Sequence, residues 1–244
     1  MVKPPVPISV DHIPFKIEYL EAYLHSSEDL VAGKHYEPKV YTARGGEKIV
    51  FRLAKKEEAP IILQTLKQLI DPKYDKDLYH IVAARTYAEV LTWAHNRYKD
   101  EYVIIGTHGN ELVGVWNARL WDENLAISLH SITFKRLGGI GTAGYIAKIE
   151  HAFENLGVKE WWATFESPFG FRLGIYLRHL MKPYPEYQHE LGGSPVFYTT
   201  KYDWEHLHKK RPELQKYFGE RPVPEDLLKE SYNLKPPSKF DIEI

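Results

Sequence analysis

The most chemically suggestive stretch of this sequence is ITFKRLGGIGTAGYIAKIEHAFENLG, residues 132–157. It opens like a strand, passes four glycines within seven residues, and closes like a helix that Gly157 ends. Glycines let backbone N–H groups approach a ligand without a Cβ in the way, and the helix N-terminus adds unpaired donors and a positive dipole end. Because Arg136 can add a charge-assisted contact, this glycine bend predicts a site for phosphate or pyrophosphate.

On these grounds alone, the bend suits a dinucleotide as well as other phosphate ligands. Residues 139–144 match G-x-G-x-x-G, and Glu166 ends the next strand, near where a dinucleotide-binding fold holds its ribose. Two observations oppose that interpretation: residues 135–138 separate the fingerprint from its strand, and antiparallel strands precede it instead of βαβ units. A structural turn with one surface arginine is a third interpretation.

The elements around the bend follow the order β, α, α, β, β, β, bend, α, β, α, β. Antiparallel strands followed by one βαβ crossover predict an α+β fold with a mixed, mostly antiparallel sheet flanked by helices. The predicted elements are a strand at 48–54, a helix with the stripe Ile61, Ile62, Leu66, Leu69 and Ile70, a helix at 84–99, a hairpin turning at 108–110, a third strand, a helix from 142 to 155, an aromatic strand, a short helix and a last strand.

Residues 136–141, Arg-Leu-Gly-Gly-Ile-Gly, resemble the R/Q-x-x-G-x-G/A signature of the GNAT superfamily, the acyl-CoA-dependent N-acyltransferases. In that family the loop joins strand four to helix three, and the order of elements over about residues 47–202 is similar as well. The resemblance implies that backbone groups of the strand segment Ser131 to Phe134 contact the pantetheine arm of the cosubstrate acetyl-CoA (coenzyme A). Motif spacing aligns Ser131 with the family's aliphatic position, whereas the hydrophobic pattern aligns Ile132 with it. The residues expected to bind it are Ile132, Phe134, Arg136, Leu137, Gly138, Gly139, Ile140, Gly141 and Thr142.

A second segment, SPFGFRLGIYLRHLM at 167–181, resembles the family's helix after strand five, which carries a leucine-tyrosine pair. Ile175 and Tyr176 match that pair, whereas the family's glycine-aromatic exit is missing. The resemblance makes Tyr176 the general acid, because a phenol with a pKa near 10 can protonate the departing CoA thiolate. Ser167 stands where the family commonly has an asparagine, and we expect it to contact the cosubstrate.

The incoming amine arrives mainly as ammonium and must lose a proton before it attacks. A carboxylate or an imidazole can accept that proton, directly or through water. In the family, the strands on either side of the bend part and hold the thioester between them, so that His130 and Glu166 are the best-placed candidates, ahead of Asp122 and Glu123. No metal site is expected; His206 and His208 are interpreted as part of a solvated helix.

Composition narrows the class of protein. The 244 residues are 43% hydrophobic, which suits one globular domain with extensions or at most two small domains. The net charge of −1 predicts no general attraction to nucleic acid or anionic membranes. The absence of cysteine excludes disulfides, thiolate metal sites and a cysteine nucleophile. No apolar run reaches the length of a membrane span and the start lacks a signal-peptide core, so a cytoplasmic protein is expected.

These observations predict a GNAT-like domain at residues 47–203 with an N-terminal extension at 1–46 and a C-terminal extension at 204–244. The expected activity is transfer of an acyl group, acetyl above all, from acyl-CoA to a small-molecule or peptide amine by direct attack on the thioester. The extensions are expected to shape the acceptor pocket or a homodimer interface. A non-catalytic acyl-CoA-binding module is the alternative. A transferase using charged tRNA is disfavoured, because that group commonly carries two copies of the fold.

Overall fold

The computed structural model describes residues 30–165, 167–177, 182–188, 195–207 and 211–242. Within these residues, the strands are β1 (Lys39–Thr42), β2 (Lys48–Leu53), β3 (Glu101–His108), β4 (Glu111–Leu120), β5 (Leu125–Thr133), β6 (Glu160–Ala163), β7 (Lys182–Gln188) and β8 (Pro195–Thr200). The α-helices are α1 (Ala59–Lys67), α2 (Tyr79–Ala94), α3 (Ile140–Glu150, continued by a π-helical turn at His151–Leu156), α4 (Pro168–Tyr176), α5 (Lys201–Glu205) and α6 (Glu225–Ser231).

The strands form one sheet in the order β1-β2-β3-β4-β5-β6-β8-β7. Neighbouring strands are antiparallel except β5 and β6, which are parallel and are joined through α3. A parallel pair needs a crossover connection, which is why the one predicted βαβ unit lies here. The predicted α+β fold with a mixed, mostly antiparallel sheet is confirmed.

Two hydrophobic clusters bury the two faces of the sheet. The larger cluster includes α3 and large aromatic side chains such as Trp116, Tyr145, Phe153 and Trp161. The smaller cluster packs α1 and α2 against the opposite face and includes Ile62, Leu66, Val90 and Trp93. Within the described residues, no helix combines the length and the apolar character that crossing a membrane requires.

The ends of α1 and α2 differ from the predicted ones. Helix α1 ends at Lys67 because Asp71 precedes a proline and is extended (φ −138°, ψ 128°), so Ile70 leaves the buried stripe and is 42% exposed. Helix α2 begins at Tyr79 and ends at Ala94; the left-handed backbone of Asn96 (φ 54°) prevents it from continuing to the predicted residue 99.

Described residues from both segments predicted as terminal extensions contact the sheet or α3. Strand β1 pairs with β2, although it falls within the predicted N-terminal extension, and residue 40 also pairs with Glu220. Glu150 of α3 accepts hydrogen bonds from Lys39 Nζ (2.8 Å) and from both terminal nitrogens of Arg221 (3.0 Å each). Burial raises the pKa of Glu150, but the hydrogen bonds from Arg221 and the charge of Lys39 outweigh it and hold that pKa below its usual range. This ion cluster ties both terminal segments to α3.

Candidate active site

The glycine bend is packed tightly at most of its glycines. Gly139 is the N-cap of α3 with φ +90°, and a Cβ there would lie 2.4 Å from the Tyr41 hydroxyl. A Cβ on Gly144 would lie 2.2 Å from the Trp116 ring, so this glycine lets α3 approach the sheet. The turn and the packing of α3 therefore require glycine at these two positions whether or not a ligand binds.

Gly141 is different, because its side faces open space. The nearest heavy atom that a Cβ on Gly141 would meet is the Thr133 methyl group, at 4.0 Å. Gly141 lies in the first turn of the eleven-residue helix α3, and that turn holds no acidic residue. The first N–H groups of a helix lack intrahelical partners, so this is where an anion can approach the bend.

Arg136 brings the bend next to the start of α4. Its guanidinium lies 4.8 Å from the centroid of the Phe169 ring, and Arg172 lies 5.3 Å from the same ring. Ser167 is the N-cap of α4, and its hydroxyl accepts a hydrogen bond from Gly170 N (3.0 Å). The predicted cosubstrate residues Arg136 and Ser167 thus both lie at the start of α4, together with the guanidinium group of Arg172.

Strands β5 and β6 part after three residue pairs. The last pair is Ile127 with Trp162; β6 then ends at Ala163, while β5 continues to Thr133 and leads into the bend. The far half of β5 therefore pairs with β4 on one side and does not pair with β6 on the other. The space between β5 and β6 on that side is called the gap.

A β-bulge in β5 decides which way its side chains face. Trp116 is opposite Ser131 and Ala118 is opposite Ser128, so β5 advances three residues while β4 advances two. Ser128 and Ser131 both accept hydrogen bonds from Lys148 of α3 (2.8 Å each). Without the extra residue, His130 would face α3 as well; the bulge turns it toward α2.

The register of β5 also decides which backbone groups face the gap. Phe134 N donates to Val113 O, and Phe134 O accepts from Asp241 N (2.9 Å each). Backbone groups along an antiparallel pair alternate in direction, so those of Ile132 also point to β4, and those of Ser131 and Thr133 point away from it. The backbone groups of Ser131 and Thr133 therefore face the side of β5 opposite β4, whereas those of Ile132 face β4.

His130 forms a close pair with Glu89 of α2. Its Nδ1 lies 2.5 Å from Glu89 Oε1, and its backbone N donates to Glu89 Oε2 (3.1 Å). Asn117 Nδ2 donates to the same Oε2 (3.1 Å), and Arg85 Nη1 lies 3.4 Å from His130 Nε2. The side chains of His130 and Glu89 are 23% and 16% exposed, so the pair is largely shielded from solvent.

Tyr176 is linked to the back of the bend through two other tyrosines. Its ring meets the buried Tyr217 ring edge-on (6.2 Å, 90°), and Tyr217 stacks on Tyr41 (6.1 Å, 27°). Burial and a hydrogen bond with the Tyr217 hydroxyl raise the pKa of Tyr176, so its phenol stays protonated through neutral pH.

Lys148 is the buried cation on the opposite side of β5 from His130. Its Nζ donates to Leu129 O (3.0 Å) in addition to the hydroxyls of Ser128 and Ser131. Burial lowers the pKa of Lys148 to about 7. Since the three acceptors lie on either side of the bulge, Lys148 holds the bulge in place.

The predicted site residues thus fall into two groups of contacts. Arg136, the bend, Ser167 and Tyr176 meet around α4, whereas His130 contacts α2; Glu166 lies outside the described residues. Asp122 accepts backbone bonds from Asn124 and Leu125 and shapes its own loop. Within the described residues, no cluster of three or more metal-binding side chains occurs.

Sequence reasoning missed Glu89, Lys148 and Tyr217. A signal for Glu89 was available, because Arg85 and Glu89 are four residues apart and share a face of a predicted helix. Lys148 lies within an otherwise apolar helix segment, where a lone lysine suggests a buried cation. Tyr217 carried no comparable signal, since it is one of 17 tyrosines in the chain.

No family model matches the chain, and no curated protein matches its sequence. Solved structures do match in fold. The GNAT domain of PAT from S. lividans gives a TM-score of 0.53 at 12% identity, covering 68% of this chain and 99% of that one. Apo FdhC, described as a nucleotide-linked sugar GNAT, gives 0.51 at 12% identity, covering 76% and 99%. An uncharacterized protein from Bacillus halodurans gives 0.50 at 10% identity, covering 74% and 96%. The chain therefore has the fold of the GNAT superfamily.

Proposed function

We propose that this chain is an acyl-CoA-dependent N-acyltransferase that transfers an acyl group, acetyl in the expected case, to an amine. The observation that carries the proposal is the parting of β5 and β6 directly before the glycine bend. This arrangement gives an extended pantetheine arm a strand edge that pairs with no other described strand, beside the N-terminus of α3, which is suited to a pyrophosphate.

The residues around the gap fit that ligand. Gly141 leaves space at the first turn of α3, and Arg136 adds a guanidinium nearby. The outward backbone groups of Ser131 and Thr133 can pair with the amides of the arm in the manner of an added strand. Bound there, acyl-CoA supplies an activated thioester.

Residues of the chain accept and donate the protons that the reaction requires. His130 takes a proton from the ammonium group, and the freed nitrogen lone pair forms the new N–C bond as the C–S bond breaks. Tyr176 gives its phenolic proton to the departing sulfur, a role for which a phenol that stays protonated at neutral pH is suited. The nitrogen of the new amide then loses its extra proton to the Tyr176 phenolate, which restores the phenol. Glu166 remains a second candidate for the base.

A non-catalytic acyl-CoA-binding module is the alternative, and the contacts of Tyr176 favour it to some extent. Tyr176 bonds Tyr217, and its carbonyl accepts from Arg211 (2.8 Å), which is also how a purely packing tyrosine would behave. In a binding module, Tyr176 and His130 could be replaced without any loss of function.

Ligand binding and turnover together test the proposal. Acetyl-CoA at about 100 times its dissociation constant should stabilise the protein by roughly 2.7 kcal/mol, seen as a rise in melting temperature, whereas NAD should have no effect. Purified protein with acetyl-CoA and a panel of amines should release free CoA thiol. Stabilisation by NAD alone would overturn the proposal; binding of acetyl-CoA without transfer to any amine would favour the module.

A further inference from the structure

We infer that Glu89 is a positioning residue that fixes the tautomer of His130, leaving Nε2 as the atom that accepts the proton from the amine. The inference rests on the proposed function for its catalytic meaning. The tautomer itself follows from the contacts of Glu89, Asn117 and Arg85 with one imidazole ring.

The Glu89 carboxylate is held in one orientation from two sides. Its Oε2 receives the backbone N–H of His130 and the side-chain amide of Asn117, both at 3.1 Å. The opposite orientation of the Asn117 amide would place its oxygen against the carboxylate, so the donor must point to Glu89. The other oxygen, Oε1, is thereby aimed at the ring.

The contacts of the two ring nitrogens of His130 indicate the same tautomer. Nδ1 lies 2.5 Å from Oε1, an acceptor, so Nδ1 carries the proton. Nε2 lies 3.4 Å from Arg85 Nη1, and a guanidinium has only donors, so Nε2 presents its lone pair. The ring is therefore prepared to accept a proton at Nε2.

This arrangement suits a base that becomes charged in the reaction. The ammonium proton moves to Nε2, and the resulting imidazolium keeps its Nδ1–H bond to the Glu89 carboxylate. Arg85 gives up Nε2 to the amine during that step. Among the described residues, the titratable groups of Glu101 (β3) and Lys148 (α3) also interact electrostatically with Glu89.

The substitution Glu89→Gln tests this inference because it should reverse the tautomer. The His130 N–H and the Asn117 amide still require an oxygen between them, so the new amide nitrogen must face Nδ1. Nδ1 would then have to accept, and the proton would move to Nε2. Glu57→Gln, on an exposed residue, is the matched control.

The tautomer is read by nitrogen NMR of labelled histidine, with His130 assigned from the spectrum of His130→Ala. We expect a protonated Nδ1 in the wild type and the control, and a protonated Nε2 in Glu89→Gln. The turnover number of Glu89→Gln should fall roughly 10²-fold, while the dissociation constant for acetyl-CoA stays unchanged.

A tautomer that does not change in Glu89→Gln, or a turnover number within about twofold of the wild type, would overturn the inference. The NMR result stands apart from the proposed function. If the protein transfers no acyl group to any amine, the proposed function fails, and the spectrum still decides whether Glu89 sets the tautomer.

Discussion

Tyr41 donates a hydrogen bond to the carbonyl oxygen of Gly138 at 2.8 Å and so joins β1 to the glycine bend. The two residues lie in segments that the sequence assigned to different parts of the protein, an extension and a binding loop. The backbone of Arg44 also donates to the Gly138 carbonyl (3.3 Å), so the N-terminal segment holds the bend from behind.

Tyr41→Phe should loosen the bend without leaving a cavity. Loss of one hydrogen bond to a partly buried carbonyl costs about 0.5–1.5 kcal/mol in the free energy of unfolding. Affinity for CoA should fall in parallel, because the N–H groups of the bend would no longer be fixed toward the ligand. Urea unfolding and calorimetric CoA titration measure the two effects. Unchanged affinity in a destabilised variant would mean that β1 supports the fold alone.

Substitutions at two glycines of the bend should have different effects, one on ligand binding and the other on folding. Gly141→Asp places a carboxylate in the open first turn of α3, where it favours the helix dipole and repels a phosphate, so we expect a folded protein that no longer binds CoA. Gly144→Ala forces a methyl group into the Trp116 ring and should destabilise the fold by about 1–3 kcal/mol or more. Melting temperatures of the two variants, measured with and without CoA, show both effects. Tight CoA binding by Gly141→Asp would mean that CoA binds elsewhere.

The ion cluster at Glu150 should show that the C-terminal segment is part of the domain. Glu150→Gln leaves Lys39 buried without its carboxylate and should cost about 3–5 kcal/mol. Arg221→Ala should cost less, about 1 kcal/mol, because Arg221 is 27% exposed and Lys39 keeps its partner. Urea unfolding midpoints give the order of the two effects. Equal and small effects would indicate that the C-terminal segment is only loosely attached.

Glu101 predicts a measurable dependence of stability on pH. Burial, and next the neighbouring Glu89, raise the pKa of Glu101 to about 8. In the unfolded chain this group ionises near pH 4.3, so the native state binds more protons between those values and loses stability as pH rises from about 4 to 8. Glu101→Gln removes this loss. It should match the wild type below about pH 4 and exceed it by about 2–4 kcal/mol at pH 8. A difference that does not change with pH would show that Glu101 is already ionised in the fold.

Much of the fold and of the predicted site followed from local patterns. The bend, the order of elements and Ser167 at the start of α4 are encoded by residues close together in the sequence, and turn chemistry and periodicity make such features readable. The face of the sheet on which the His130 side chain lies could not be predicted from such local patterns. It depends on a bulge held by Lys148 and by the pairing of β5 with β4, both of which are tertiary contacts. The contact of Tyr217 with Tyr41 likewise brings together the two ends of the described chain.

Substitutions of Tyr176 and Tyr217 distinguish a general acid at position 176 from a tyrosine that only packs. Tyr176→Phe keeps the ring and most of its packing, so the fold and CoA binding should survive. If the phenol protonates the departing thiolate, turnover should fall roughly 10²-fold or more. Single-turnover kinetics with a reactive amine measure this step apart from product release.

The hydrogen bond between Tyr176 and the Tyr217 hydroxyl helps to raise the pKa of Tyr176, so removing the Tyr217 hydroxyl should lower that pKa. A general acid works while it is protonated, and its activity is lost as pH rises through its pKa. In the wild type this loss should therefore lie above about pH 10, the ordinary value for tyrosine. In Tyr217→Phe the pKa of Tyr176 falls and the loss should move to lower pH. The pH dependence of turnover, with a difference titration of tyrosinate against Tyr176→Phe, measures the shift. Profiles that coincide in wild type and Tyr217→Phe, with full turnover in Tyr176→Phe, would leave Tyr176 as a packing residue and assign the sulfur's proton to another donor.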